Sequence, residues 1–233
     1  MIDINTSKKS VLPVITGVIG ILLFLFAVSL FGTAPVLKLA GLSAVNSTIL
    51  VITRLLYWII LLLLWLYAFK VEKQSLVIWQ EKQYNFLFYV ASIIGIFLVL
   101  FAGVLIISTA LSFAGLNRTS ARLTEIINLI RGKSWLLIFT ALTAGVVEEL
   151  IFRGYLLPRL AVIFKSNVAA IMVSSFLFGL LHYKYGTVVN VAGPVFIGFV
   201  FAWHYNKYRN IKIVIVCHFL WDVLALMAAL KRN

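Results

Sequence analysis

Six residues capable of chemistry lie within long apolar stretches of this chain: Glu148, Glu149, Arg153, His182, His218 and Asp222. The other four acids, Asp3, Glu72, Glu81 and Glu125, lie between such stretches. A charge near the centre of a membrane helix costs roughly 2.5–3.5 kcal/mol on the insertion scale, so a group of them calls for a purpose. Glu149 and Arg153 are four residues apart and can neutralise one another on one helix face, which is the structural reading of that pair. Glu148 is different. It sits about 100° around a helix from Glu149, and its i+4 neighbour is Phe152 rather than a base. Desolvation of a lone carboxyl favours its protonated form and moves its titration toward neutral pH, where a general base operates. Glu148 is therefore the candidate base.

Its partner can be sought by depth. Two apolar stretches on either side of Lys165 form a hairpin in which Glu148 is 17 residues before the turn and His182 is 17 after it. Equal distance from the turn means similar depth, so the carboxyl and the imidazole can meet. Phe178 is one helical turn before His182 and places a ring beside it. His182 also fits a plainer role, an imidazole bonded to a carbonyl near a helix end. His218 and Asp222 are again four apart, either a structural pair or donors for an oxyanion. One difficulty attends this arrangement: His218 is only about seven residues, roughly 10 Å, into the last apolar stretch, about half the depth of His182. His204, beside Tyr205 and Lys207, reads as interfacial. Glu148, His182 and His218 could also hold zinc, a reading ranked second to metal-free activation of water. The chain has no HExxH, GxGD or GxSxG motif. Cys217 and His218 are adjacent and diverge by about 100° on a helix, which argues against a Cys–His nucleophile.

The elements that position these groups follow from composition. The 233 residues are 63% apolar and 12% charged, against roughly 25% charged in soluble domains. That excludes a soluble globule and disorder, and long apolar runs rather than short alternating ones exclude a barrel. The apolar content, about 147 residues, suits seven spans of about 20, placed at 11–32, 49–69, 86–112, 135–157, 167–184, 187–205 and 211–230. The expected fold is an all-α polytopic bundle of about seven transmembrane helices with one interfacial helix. The interfacial helix falls near residues 119–131, where Leu123, Ile126, Ile127 and Ile130 share one face. Arg54, near the start of the second span, can snorkel toward the headgroups. The polar stretch from Lys70 to Gln83 reads as an exposed loop. The net charge of +13 suits loops facing anionic lipid rather than nucleic acid, and basic residues flank the spans too evenly to fix orientation. The chain divides into N-terminal helices over 1–134 and a helical core over 135–233.

At this point the residues match a known set. The run Glu148-Glu149-Leu150-Ile151-Phe152-Arg153 resembles the EExxxR motif of the CPBP intramembrane endopeptidases, a group that includes the type II CAAX prenyl proteases and the Abi proteins. Phe178 to His182 resembles that family's FxxxH motif, and His218 to Asp222 its HxxxN/D motif. The resemblance spans about residues 135–230. It implies a metal-independent glutamic intramembrane protease without cofactor, in which Glu148 and His182 activate water while His218 and Asp222 stabilise the oxyanion. Glu149, Arg153 and Phe178 would then be supporting residues. Its substrate would be a membrane-associated or lipidated peptide, its other partners membrane lipids, and its location the cell membrane as a multi-pass protein. Prenyl-processing members typically carry Asn where this chain has Asp222; a carboxylate donates no hydrogen bond, so Asp222 must carry a proton or else orient His218. Two other classes fit the same polar cluster: a non-catalytic bacteriocin-immunity or scaffold protein, and a proton-coupled transporter.

Overall fold

The computed structural model describes residues 8–31, 34–39, 41, 45–116 and 119–232; Asp3 lies outside them. The elements among the described residues are all helical: α1 (Lys8–Phe31), α2 (Ala34–Leu39), α3 (Ser47–Tyr67), α4 (Phe86–Phe113), α5 (Ala121–Ile130), α6 (Ser134–Thr143), α7 (Leu157–Phe164), α8 (Asn167–Leu180), α9 (Val189–Tyr208) and α10 (Ile211–Arg232). A wide-wound π segment, Ala68–Glu72, extends α3, and two more, Ala144–Glu148 and Leu150–Leu156, join α6 to α7. Polar side chains start several helices by accepting the first free backbone N–H groups: Asn46 from Ile49, Asn85 from Phe88, Ser120 from Leu123 and Ser166 from Ala169.

All seven expected spans are helical, but only five described helices are long and apolar enough to cross a membrane: Ser47–Glu72, Phe86–Phe113, Ser134–Phe164, Asn167–Tyr185 and Ile211–Lys231. The expectation of seven is corrected accordingly. The described apolar part of α1, Leu12–Val28, is too short. Although α9 has 20 residues, Asn190, His204, Asn206 and Lys207, together with its glycines and Pro194, dilute its hydropathy. The protein is thus an all-α, multi-span, integral membrane bundle. The outer surface fits a bilayer: Leu98, Leu105, Ile106 and Phe113 of α4 all face outward. Between such helices there is no water to expel, so packing and interhelical hydrogen bonds hold the bundle together.

One core runs through most of the molecule, joining Val18 and Ile21 of α1, Leu61 and Leu64 of α3 and Leu100 of α4 to Phe178, Phe201, Val214 and Cys217 of the later helices. A second cluster packs Leu50 of α3 and Ile130 of α5 against Leu136 and Leu137 of α6, with Val223 of α10 alongside. The expected amphipathic helix is α5; it buries Ile127 and Ile130 and leaves Arg122 and Glu125 on its polar side. The hairpin pivot is also as expected: Lys165 ends α7 in the left-handed region (φ 53°), and Ser166 opens α8.

The stretch read as an exposed loop is instead pinned to the bundle. Arg159, fully buried, donates from Nε to Glu72 Oε2 at 2.9 Å and through Nη1 and Nη2 to the carbonyls of Leu76 and Ser75. Tyr155 donates to the other Glu72 oxygen at 2.7 Å. Farther along, Glu81 accepts from Tyr205 and from the backbone N–H of Ile211 at the start of α10. Trp79 is buried beneath the Arg209 guanidinium, 3.2 Å from its ring centroid. The two acids of this stretch are thus paired, while Lys70, Lys73, Gln80, Lys82 and Gln83 remain exposed.

Candidate active site

The helix carrying Glu148, Glu149 and Arg153 runs unbroken from Ser134 to Phe164, but its middle is wound with i→i+5 spacing. Such insertions of π winding occur frequently at functional sites. Here the wider turn coincides with Glu148 through Leu156. Gly145 permits close passage of α10: a Cβ at that position would stand 2.9 Å from the backbone nitrogen of Phe219, the residue after His218.

The pair Glu149–Arg153 is present and completely buried, with Arg153 Nη1 donating to Glu149 Oε1 at 2.9 Å. Arg153 also donates from Nη2 to the Gly198 carbonyl of α9 at 2.9 Å. Its guanidinium lies over Phe178, 4.6 Å from the ring centroid, and near Phe201 and Phe152. Glu149 does more than neutralise Arg153, because the same Oε1 accepts from His218 Nδ1 at 2.7 Å. A carboxylate oxygen can only accept, so Nδ1 carries the proton and Nε2 faces away from Glu149. Nε2 lies 3.7 Å from Asp222 Oδ2, beyond hydrogen-bond length. The chain of contacts therefore runs from Arg153 through Glu149 and His218 toward Asp222.

Phe178 is the hub about which the imidazoles gather. His182 lies 5.2 Å and His218 5.9 Å from its ring centroid. The two imidazoles thus flank the same ring. His182 is just beyond the last turn of α8, and its Nδ1 bonds the Phe178 carbonyl at 2.8 Å. A carbonyl only accepts, so Nδ1 donates and the lone pair is on Nε2. The plain role, a ring bonded to a carbonyl at a helix end, is thus present, and that bond leaves Nε2 unengaged. Tyr185 stacks on the imidazole at 5.9 Å with an 18° tilt.

Glu148 is half-buried and, among the described residues, forms no ion pair. It acts electrostatically on Asp222 and His218 and on Tyr57 and Tyr185. Asp222 in turn lies within electrostatic reach of His218, Glu148, His182 and Arg54. Of the four residues expected to do chemistry, His218 is 3.7 Å from Asp222, and Glu148 and His182 are within electrostatic reach of Asp222. Arg54, Tyr57 and Tyr185 were not foreseen among these groups. Arg54 met the criterion that singled out Glu148, a charge inside an apolar span, and was discounted for its nearness to the helix start. Tyr185 is three residues beyond His182 and carried no signal of its own. Among the described residues no group of three or more His, Cys, Asp or Glu is arranged to hold a metal ion. Glu148, His182 and His218 form no such set. His204, read as interfacial, is buried with neither ring nitrogen hydrogen-bonded to a described residue.

A multi-span helical bundle that gathers two imidazoles on one aromatic ring, one of them bonded to a buried carboxylate, has the character of an intramembrane protease. Residues 130–224 match the profile of the Type II CAAX prenyl endopeptidase Rce1-like family, and over this region the chain is assigned to that family. The match is consistent with membrane-embedded hydrolysis. No curated protein and no solved structure matches the chain.

Proposed function

We propose that the protein is a metal-independent intramembrane endopeptidase of the cell membrane that hydrolyses a membrane-associated or lipidated peptide, with residues 135–233 carrying the reacting groups. The observation behind this reading is that Glu148, His182 and His218 all lie within electrostatic reach of Asp222, with the buried Glu149–Arg153 pair behind them. Glu148, without an ion-pair partner of its own, takes a proton from water. His182, whose Nε2 keeps its lone pair, orients that water and assists the transfer. The oxygen attacks the scissile carbonyl, and His218, held by Glu149, faces the developing oxyanion with Asp222. Collapse expels the amine, which receives the proton from Glu148 or His182. Glu149, Arg153 and Phe178 position the imidazoles. A wholly apolar-lined cavity of about 240 Å³ lies among Leu22, Leu25, Phe26, Phe152, Leu177 and Leu181. Its walls include the neighbours of Arg153 and His182, which suits an apolar side chain or a lipid chain of the substrate.

The test is cleavage of membrane peptides by the purified protein in liposomes, read by mass spectrometry. The expected result is cleavage by wild type and a loss of at least about 100-fold in Glu148→Gln, with the melting temperature unchanged. Cleavage at equal rates by both would overturn the reading, as would a folded wild type that cleaves nothing.

A further inference from the structure

Arg54 is on α3, outside the region assigned to the protease family, and its surroundings give it a role in the site. Leu50, Arg54 and Trp58 are spaced i, i+4, i+8 and form one stripe of α3. Leu50 and Val223, the residue after Asp222, pack on one apolar cluster with α5 and α6. Trp58 donates from Nε1 to Thr143 Oγ1 at 3.1 Å, so the other end meets α6 immediately before the π segment that ends at Glu148. Arg54 lies between these anchors. Its guanidinium carbon is 5.5 Å from the Tyr57 ring centroid, and its Nε is enclosed with no hydrogen-bond partner among the described residues. It makes no ion pair with a described residue, yet it lies within electrostatic reach of both Asp222 and Tyr185.

The enclosed Nε–H without an acceptor is a cost, and the charge it belongs to favours an anion arriving at the outer nitrogens of the guanidinium, which are not enclosed. The oxyanion of amide hydrolysis is such an anion, and an ionised Asp222 adds no donor to the one His218 offers it. We propose that Arg54 donates the hydrogen bond and the positive charge that the tetrahedral anion needs, in the place where a carboxylate at position 222 cannot. The proposal rests on the proteolytic reading above. In the step concerned, the water oxygen bonds to the carbonyl carbon, the C=O π pair moves onto oxygen, and the water's proton goes to Glu148. Arg54 donates to the resulting O⁻ without giving up its proton. On collapse the C=O re-forms, the C–N bond breaks, and the proton on Glu148 leaves with the amine.

Two measurements test it. The first needs no turnover: binding of n-octylphosphonate, a tetrahedral anion that partitions into detergent micelles, followed by ³¹P NMR. Wild type binds it, Arg54→Gln weakens binding by about tenfold or more, and Arg54→Lys stays close to wild type. Asp222→Asn tightens binding, since a competing anion is gone. The second is peptide cleavage. Arg54→Gln lowers kcat by about 10²-fold or more, as loss of an oxyanion donor does, with little change in KM. Adding Asp222→Asn to it restores at least about tenfold, because Asn can donate. Phosphonate binding that is absent from wild type, or unaffected by Arg54→Gln, overturns the proposal whether or not peptides are cleaved. Arg54-dependent binding by a wild type that cleaves nothing leaves the anion site standing and removes the proteolytic reading. Should Arg54→Gln fail to fold, Arg54→Lys and Asp222→Asn carry the binding test: unchanged affinity in Asp222→Asn overturns it.

Discussion

Two adjacent glutamates in this site have opposite surroundings, and substitution should separate them. Glu149 is fully buried and bonded to both Arg153 and His218. Glu149→Gln leaves the buried guanidinium without its counter-ion, which costs on the order of 3–5 kcal/mol; the expected outcome is a sharply lower melting temperature in detergent and poor yield. Glu148→Gln removes no ion pair and should melt like wild type while losing cleavage. The residue types and spacings made Glu148, His182, His218 and Asp222 stand out in the sequence as candidates, because each is costly in an apolar span. The bond from Glu149 to His218 was not legible. It joins positions 69 residues apart, and periodicity along one helix carries no information on what a neighbouring helix presents.

At the scale of elements, the wide winding between Ala144 and Leu156 and the close approach at Gly145 set where α10 delivers His218 and Asp222. Gly145→Leu must displace backbone at Phe219 rather than a flexible side-chain tip. Overpacking of this kind costs about 1–3 kcal/mol. The expected result is a modest fall in thermal stability with a much larger fall in peptide cleavage, since the displaced segment carries two of the groups proposed to react. Melting curves and cleavage rates measured on the same preparation check this. Helix identity and the pivot at Lys165 were readable from apolar runs broken by polar residues. The π winding was not, because the same apolar composition suits both helical spacings and only contacts with α10 and α8 select between them.

For the molecule as a whole, hydropathy gave the bundle and overcounted its spans, since α9 owes its place to packing against α8 and α4 rather than to its own apolarity. The connector after α3 was read as exposed, which holds for its lysines and glutamines but not for its acids, because charge in a sequence looks like exposure until its partner is found. Glu72 and Arg159 are 87 residues apart and are both enclosed. Glu72→Gln should therefore destabilise the protein by about 3–5 kcal/mol, visible as earlier loss of secondary structure by circular dichroism on heating, whereas Lys73→Gln nearby should change little. The connector is also fastened on both sides of its midpoint. Arg159 holds it at Ser75 and Leu76, and Tyr205, Asn210 and Ile211 hold it at Glu81 and Lys82. Covalent continuity between Val77 and Ile78 is then dispensable to the assembled particle. The gene could be divided there, and the two polypeptides, produced together in one cell, should copurify as a single working unit.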